Sequence, residues 1–266
     1  MSAHTQTPLS KALYELRARG EKGIVPYFTA GDPDIELTRD ILLAMTDAGV
    51  AALEIGIPFS DPIADGPTIQ ASSQRALAQN VTLDRILTML DDVKDKLAPS
   101  VIFSYLNPID RMGYERFAKR AKDVGTSGLL ITDSTPGTDP ELEEALTGQG
   151  LDLIRLVAPT TPIDRLPTIV NGASGFLYIV ARRGVTGVGG ESEELTGHLE
   201  AVKGLSDIPR YVGFGIRTAE DVRRIGAHAD GVIVGSALVD LLHQTPRAQR
   251  PDVAAKYMRE LQEGLR

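Results

Sequence analysis

The chain has 266 residues, of which 42% are hydrophobic and 24% charged, the composition of an ordinary globular protein. Its net charge of −8 gives no support for nucleic acid or an anionic membrane surface as a partner. The chain has no cysteine, so disulfides, thiolate metal sites and cysteine nucleophiles are excluded. Its N-terminal stretch lacks the apolar core of a signal peptide, and we see no apolar run of about 18 residues, the length of a membrane helix. We therefore expect a cytoplasmic protein.

Short β-branched or apolar runs alternate with longer segments of helical period along the chain. Eight runs are predicted to form strands, at 24–28, 51–57, 101–105, 127–132, 151–157, 174–180, 210–214 and 231–235. The segments between them are predicted to form helices, at about 35–48, 82–97, 114–124, 139–149, 163–171, 192–205, 218–227 and 236–243, with two more near 8–19 and 251–264. This alternation predicts a single (β/α)8 TIM barrel over residues 1–266 with an extra N-terminal helix. An open doubly wound sheet is the alternative.

The stretch LEIGIPFSDPIADGPTIQ, residues 53–70, places a glutamate inside an apolar strand. Successive strand residues point to opposite faces, so Ala52, Glu54 and Gly56 are predicted to face the barrel interior. The small neighbours of Glu54 predict a cavity beside its carboxyl group. Burial without a cation would raise the pKa of that group into the range useful for general acid–base catalysis. The alternative is a structural glutamate paired with an inward Arg or Lys.

Two aspartates, Asp61 and Asp65, lie on the long loop that follows this strand. Aspartates beside Pro and Gly are usually turn formers, because their carboxylates accept nearby backbone hydrogen bonds. For either residue alone, the turn is the favoured interpretation. Asp65 lies above the strand of Glu54, however, and two carboxyl groups at one mouth of the barrel could divide the work of proton transfer.

Glycine-containing stretches follow the last three predicted strands, at 182–190, 213–221 and 235–239. Small residues let backbone N–H groups approach an anion, and a helix N-terminus adds a favourable dipole. These turns are therefore predicted to bind a phosphate, with Thr218 capping the helix after the second. The aromatic residues near the strands are expected to be mainly core, and none of the four histidines is assigned a catalytic or metal-binding role.

Five motifs together carry a family resemblance: LEIGIPFSDPIADGPTIQ, LVAPTTP, GVTG, VGFGI and DGVIVGSALV. In this order they resemble the tryptophan synthase α-subunit family, and the resemblance runs from about residue 8 to residue 265. It implies reversible cleavage of indole-3-glycerol phosphate to indole and glyceraldehyde 3-phosphate, with no metal or organic cofactor. It also implies a β-subunit partner in an αββα heterotetramer, in which the β subunit uses pyridoxal phosphate to join indole to serine.

The resemblance also implies roles for matching positions. Glu54 corresponds to the acid–base residue of the carbon–carbon cleavage, and Asp65 to the carboxylate that binds the indole N–H. The candidate substrate-binding residues are Tyr27, Phe103, Tyr105, Tyr178, Thr186 and Phe214. The candidate phosphate-binding residues are Gly187, Gly215, Gly235 and Ser236. Residues 181–193 correspond to a mobile lid, in which Thr186 would meet Asp65 on closure.

One segment, TDSTPGTDPELEE at 132–144, departs from the family pattern, which is close to PDLPxEE. Asp133 is kept, but Ser134 and Thr135 replace the expected residues. In the family this edge helps to contact the β subunit, so the resemblance implies that the departure concerns docking more than chemistry. The loop with Pro58 and Asp61, also an interface element in the family, is intact. Two other functions stay open: a free-standing lyase that supplies indole to another pathway, and a non-catalytic activator of a β partner. The presence of both candidate carboxylates argues against the second.

Overall fold

The predicted barrel is confirmed by a computed structural model, which describes residues 7–180, 193–213 and 215–265. Within these residues, nine strands form one parallel sheet in the order β5-β4-β3-β2-β1-β9-β8-β7-β6. The strands are β1 Gly23–Thr29, β2 Leu53–Gly56, β3 Ser100–Ser104, β4 Thr126–Ile131, β5 Asp152–Leu153, β6 Arg155–Val157, β7 Leu177–Val180, β8 Arg210–Gly213 and β9 Gly231–Val234. The two ends of this order, β5 and β6, are separated in the chain by Ile154 alone, so the sheet curls into a nearly closed barrel.

The fifth predicted strand differs from the prediction, because 151–157 is divided into β5 and β6 at Ile154. β5 pairs with β4, whereas β6 pairs with β7. The Ile154 N–H donates to the Leu129 carbonyl at 3.0 Å, and the Ser174 N–H donates to the Leu153 carbonyl at 3.0 Å. The chain therefore changes hydrogen-bonding partners at Ile154, and the two short strands together take the place of one barrel strand.

Twelve α-helices surround the strands in the described part of the chain. They are α1 Pro8–Ala18, α2 Ile35–Asp47, α3 Pro67–Ala78, α4 Leu83–Val93, α5 Leu106–Met112, α6 Tyr114–Asp123, α7 Pro140–Gly148, α8 Leu166–Val170, α9 Glu193–Leu205, α10 Ala219–Gly226, α11 Ser236–Gln244 and α12 Arg250–Gln262. None of them combines the length and the apolar character needed to span a bilayer.

Two of these helices, α3 and α5, were not predicted. The buried residues of α3 are Ile69, Ser72, Ser73 and Ala76, so half of its buried face is hydroxyl-bearing and gives no apolar period. α5 has seven residues and carries Pro108 in its first turn, and such a short helix leaves too few positions for a periodic signal.

The barrel interior is filled from its N-terminal end. Leu9 and Leu13 of α1 join an inner cluster of apolar residues from the strands, so α1 closes that end of the barrel. The inner cluster includes Ala52, whereas Leu53 and Ile55 belong to the outer cluster under the helices, as the predicted alternation of β2 requires. Polar chemistry is thereby left to the opposite end, where the strands terminate.

Candidate active site

A cavity of about 360 Å³ lies at the C-terminal ends of the strands. The described residues that line it include seven of the candidate site residues, Tyr27, Asp65, Phe103, Tyr178, Gly215, Gly235 and Ser236. Much of the remaining wall is apolar, with Ile69, Leu156, Val180, Ile216 and Ile233. The rings of Tyr27 and Phe103 meet edge to face, with centroids 5.0 Å apart. The cavity thus suits a flat apolar group that carries a polar extension.

Glu54 is fully buried at an inward position of β2. Neither of its carboxyl oxygens has a hydrogen-bond partner in the described part of the chain, and no described Arg or Lys is paired with it. The structure therefore gives no support to the alternative of an ion-paired structural glutamate. Burial raises the pKa of Glu54 to about 8, so the folded protein holds this group protonated at neutral pH.

The predicted cavity directly beside Glu54 is occupied by aromatic rings. A Cβ atom at Gly56 would lie 2.2 Å from the Tyr27 hydroxyl oxygen, and one at Gly213 would lie 2.4 Å from the Tyr178 hydroxyl oxygen. The glycines are needed because the two rings cross these positions. Glu54 consequently lies beneath the cavity and is not among its described lining residues, so its carboxyl group reaches a ligand only through a side-chain rotation or a movement of the rings.

Asp65 lines the cavity on the loop between β2 and α3, and contacts with Tyr105 and Gln70 hold that loop. The Ala64 N–H donates to the Tyr105 hydroxyl at 2.9 Å, and the Gln70 side-chain amide donates to the Asp65 carbonyl at 2.9 Å. The ring of Tyr105 also stacks on Phe59, with centroids 5.0 Å apart. These contacts fix the height of the carboxylate above the strands.

Burial raises the pKa of Asp65 to about 6, and a hydrogen bond from the Tyr105 hydroxyl opposes that rise. At pH 7 Asp65 is therefore mostly ionised, whereas Glu54 is mostly protonated. Two carboxyl groups with separated pKa values provide an acid and a hydrogen-bond-accepting anion in one site. Burial also raises the pKa values of Tyr27 and Tyr178, and the negative charges of both carboxyl groups add to this effect.

Tyr105, a candidate for substrate binding, is buried and is not among the described residues that line the cavity. Its contacts are with the loop that carries Asp65, so the structure places it as a support for that loop. Asp61 is exposed on the same loop, and its carbonyl accepts the Ile63 N–H at 2.9 Å, as in a tight turn.

The phosphate-binding candidates that the structure describes, Gly215, Gly235 and Ser236, lie where two of the last strands end. Gly215 has φ +72°, a left-handed conformation that favours glycine, and Gly235 precedes the first residue of α11, Ser236. Among the described residues, no side chain forms a capping hydrogen bond at the N-terminus of α11. The N-terminus of α10 differs, because its predicted cap Thr218 is confirmed and forms a reciprocal capping box with Asp221. The α11 end therefore keeps backbone donors available for an anion.

Three candidate residues, Thr186, Gly187 and Phe214, lie outside the described residues, and so do residues 181–192 of the predicted lid.

The sequence analysis missed part of the apolar wall of the cavity. Leu156 is the register partner of Tyr178, so extending the strand alternation to β6 would have found it. Ile216 follows a turn and gives no periodic signal.

In the described part of the chain, no group of three acidic or histidine side chains is arranged to hold a metal ion.

Comparison with known proteins points to one family. The family model described as "Tryptophan synthase alpha chain" matches residues 13–265. The chain is 42% identical over 257 residues to the tryptophan synthase alpha chain of Burkholderia thailandensis, covering 94% of this chain and 92% of the relative. It is 43% identical over 248 residues to that of Desulfosudis oleivorans, covering 92% and 93%.

Solved structures agree with this result. The tryptophan synthase of M. tuberculosis in its aminoacrylate-bound form superposes with a TM-score of 0.88 at 30% identity, covering 98% of this chain and 100% of that chain. The tryptophan synthase subunit alpha of Legionella pneumophila gives a TM-score of 0.88 at 33% identity, with 98% of both chains covered.

Proposed function

We propose residue roles for this chain, which belongs to the tryptophan synthase alpha chain family. Its reaction is the reversible retro-aldol cleavage of indole-3-glycerol phosphate to indole and glyceraldehyde 3-phosphate, a lyase step of tryptophan biosynthesis. The observation that supports the proposed roles is the pair of carboxyl groups whose pKa values differ, Asp65 in the cavity and Glu54 beneath it.

The chemistry needs two proton transfers. Indole is a poor leaving group as a carbanion, but protonation of its C3 gives an indolenine that can accept the electrons of the breaking bond. Removal of the proton from the side-chain hydroxyl next to that bond then forms the aldehyde and expels indole. A positioned acid or base typically contributes roughly 10²–10⁴-fold to such a step.

In our proposal, Glu54 is the group that moves protons. It is protonated near neutral pH because of its burial, so it has a proton to give once its side chain turns toward the cavity. After giving that proton it is a carboxylate, which can accept the hydroxyl proton in the second step. Asp65 stays ionised and accepts the indole N–H, which stabilises the positive charge that develops on the protonated ring.

The cavity walls supply the remaining contacts in this proposal. Tyr27, Phe103 and Tyr178 would enclose the indole ring, with Thr186 and Phe214 as further predicted contacts. The phosphate would lie at Gly215, Gly235 and Ser236, with Gly187 of the predicted lid, where the uncapped N-terminus of α11 offers backbone N–H groups.

Turnover of indole-3-glycerol phosphate by the purified chain tests these roles. Glu54→Gln keeps the shape of the side chain but cannot exchange the proton, so turnover should fall about 100-fold or more. Asp65→Asn should lower turnover because a neutral amide stabilises the charged ring less well. Binding of glycerol phosphate should be retained in both variants. Retention of more than a tenth of wild-type turnover by folded Glu54→Gln would remove the role of Glu54.

We also propose that residues 1–266 form one cytoplasmic domain that docks a tryptophan synthase β subunit through its C-terminal barrel face. On that face, Ile63 and Ile163 are large apolar residues that are 78% and 61% exposed, and Ile63 lies on the loop with Pro58 and Asp61. Hydrogen bonds within the chain hold the altered segment after β4. The Gly137 N–H donates to Glu143, and the Tyr114 hydroxyl of α6 donates to Asp139.

Docking is tested by sedimentation and by turnover with and without the β subunit of the same pathway. A complex that raises lyase turnover would support the αββα assembly, because a partner that favours the closed state shifts the population toward it. If neither a complex nor a gain is seen and the isolated chain already turns over rapidly, the free-standing lyase is the better description.

A further inference from the structure

Polar contacts have a large share in holding α3 on the barrel. Two of its four buried residues are serines, so its apolar contact with the rest of the protein is small. The hydroxyl oxygen of one of them, Ser72, lies 2.6 Å from the hydroxyl oxygen of Thr29 in β1. Because most helices in proteins are held by the packing of an apolar face, the position of α3 depends more than usual on its polar contacts.

A charged contact joins the C-terminal half of α3 to the loop after β1. The Arg75 Nε lies 2.8 Å from the Asp32 Oδ1, and the Arg75 Nη2 lies 2.6 Å from the Asp32 Oδ2. Asp32 is 4% exposed, and its N–H donates to the Thr29 carbonyl at 3.3 Å, at the end of β1. Two parallel charge-assisted hydrogen bonds fix both the distance and the angle between their partners. Arg75 therefore holds α3 at a defined position on the barrel.

The other end of α3 carries the loop with Asp65. The helix begins at Pro67, and the Gln70 side-chain amide reaches back to donate to the Asp65 carbonyl at 2.9 Å. A helix moves largely as one body, because each backbone N–H in its interior is bonded to a carbonyl four residues earlier. A shift of α3 at Arg75 is therefore passed to Asp65 through the helix backbone and the Gln70 contact.

The Asp65 loop is thus held from two sides. From the side of β3, the Tyr105 hydroxyl accepts the Ala64 N–H at 2.9 Å. From the side of β1, the contact of Asp32 with Arg75 acts through α3. In an active site, a displacement of about 1 Å can cost roughly 10²-fold in rate, so the second support bears on catalysis as much as the first.

We propose that Asp32 and Arg75 are positioning residues, which set the place of the Asp65 carboxylate by fixing α3 to the end of β1. Neither is among the described residues that line the cavity, so they act through Asp65 and not on the substrate. The proposal rests on the proposed role of Asp65 as the acceptor of the indole N–H. It adds a pair of residues outside the cavity that gives this acceptor its geometry.

The test compares two ligands that differ in the group that Asp65 would bind. Indole carries the N–H, whereas benzothiophene has nearly the same shape and lacks it. With glycerol phosphate present, wild-type protein should bind indole about tenfold more tightly than benzothiophene, as measured by calorimetry, because a hydrogen bond to a charged acceptor is lost with the second ligand.

Arg75→Lys keeps the positive charge but not the two-point contact with Asp32. We expect its preference for indole to fall to about threefold or less, and kcat for indole-3-glycerol phosphate to fall about tenfold. Its affinity for glycerol phosphate alone should be unchanged. A loss confined to the indole N–H distinguishes a displaced Asp65 from a general loss of structure.

The chain offers a matched control on the same loop. Asp34 lies two residues after Asp32, and the Arg247 Nε and Nη2 approach its Oδ2 at 3.2 and 2.9 Å, but Arg247 follows α11 and is not part of α3. Arg247→Lys should leave the preference for indole unchanged. Asp32→Asn should lower it, and the double variant with Arg75→Lys should lose no more than the larger single effect, because both substitutions remove one contact.

An unchanged preference in folded Arg75→Lys and Asp32→Asn would overturn the proposal, as would an equal loss in Arg247→Lys. If Asp32→Asn does not fold, Arg75→Lys against Arg247→Lys decides the question. The role of Asp65 is judged separately by Asp65→Asn. If that variant keeps the preference for indole, the proposed role of Asp65 fails. If it loses the preference while Arg75→Lys keeps it, only the positioning role fails.

Discussion

The two ends of the barrel interior each bury a carboxyl group, and the two groups are treated in opposite ways. At the closed end, Asp152 is 3% exposed and accepts hydrogen bonds from the hydroxyls of Thr7 and Ser10, the latter at 2.9 and 3.0 Å, with a further bond from Ser174. At the open end, Glu54 is 0% exposed and accepts none from the described residues.

Burial alone therefore does not distinguish a carboxyl group that is held by hydroxyl donors from one that is not. Burial raises the pKa of both groups, but the hydroxyl donors around Asp152 oppose the rise, whereas nothing described does so for Glu54. The same Thr7 also caps α1 by accepting the Ser10 N–H at 2.9 Å. Asp152 thus belongs to the anchorage of the helix that closes the barrel, whereas no described donor fixes the carboxyl group of Glu54.

The dependence of stability on pH gives the largest expected contrast. As pH rises above the ordinary range of a glutamate, the unfolded chain loses the proton of Glu54 while the folded protein keeps it up to about pH 8. Wild-type stability should therefore fall over this range, and Glu54→Gln should lack that decline. The stability of the variant relative to wild type should rise by up to about 4 kcal/mol between about pH 5 and pH 8.

Urea unfolding at the two pH values measures this difference. Equal pH dependence in the wild type and in Glu54→Gln would mean that Glu54 titrates normally in the folded protein, and the contrast with Asp152 would be lost.

Asp152→Asn, at the closed end of the barrel, should lower the stability of the protein and leave its turnover nearly unchanged. The amide places N–H donors against the hydroxyl donors of Thr7 and Ser10, and stability should fall by about 1–3 kcal/mol. Turnover of the folded variant should stay within a few-fold of wild type. A loss of turnover as large as that of Glu54→Gln, without loss of stability, would show that the two carboxyl groups are not separated in role.

Substitution of a glycine should weaken anion binding only at the open end of the barrel. Gly215→Val should weaken binding of glycerol phosphate about tenfold, because the side chain and the positive φ at this position would displace the backbone that approaches the anion. Gly150→Val is the matched control, since Gly150 has φ +68° and open space around it but lies away from the cavity. Equal affinity in the two folded variants, measured by calorimetry, would exclude Gly215 from the phosphate site.

The smallest effect concerns the support of Asp65. Tyr105→Phe removes a hydrogen bond that holds down the pKa of Asp65, so the acid limb of the turnover profile should move upward by about half a pH unit. Tyr114→Phe removes a comparable 2.7 Å bond to Asp139, away from the cavity, and should leave the profile in place. A lower turnover without a shift would make Tyr105 a packing residue only.

Periodicity was sufficient to predict the barrel and the inward position of Glu54, because both depend on which face a strand residue occupies. It could not show that the ring of Tyr27 fills the space over Gly56. That contact joins two neighbouring strands, and the sequence of one strand does not say how its side chains pack on the next. The division of β5 from β6 at Ile154 was missed for a similar reason: it follows from a change of neighbouring strands.

Parts of the site that depend on neighbouring residues in the sequence were predicted better than parts that depend on distant contacts. Thr218 caps its own helix and was found from sequence alone. Tyr105 is a substrate-binding candidate on the family resemblance alone, but its hydroxyl accepts a hydrogen bond from a residue 41 positions away.

The serine-rich face of α3 has a consequence for local opening of the protein. α4 buries six apolar residues, Leu83, Ile86, Leu87, Met89, Leu90 and Val93, whereas α3 buries only Ile69 and Ala76 besides its two serines. The amide hydrogens of α3 should therefore exchange with deuterium faster than those of α4, at a lower free energy of opening. Since α3 begins two residues after Asp65, a ligand bound to that carboxylate would slow exchange along the helix, and the occupancy of the site could be observed from its backbone.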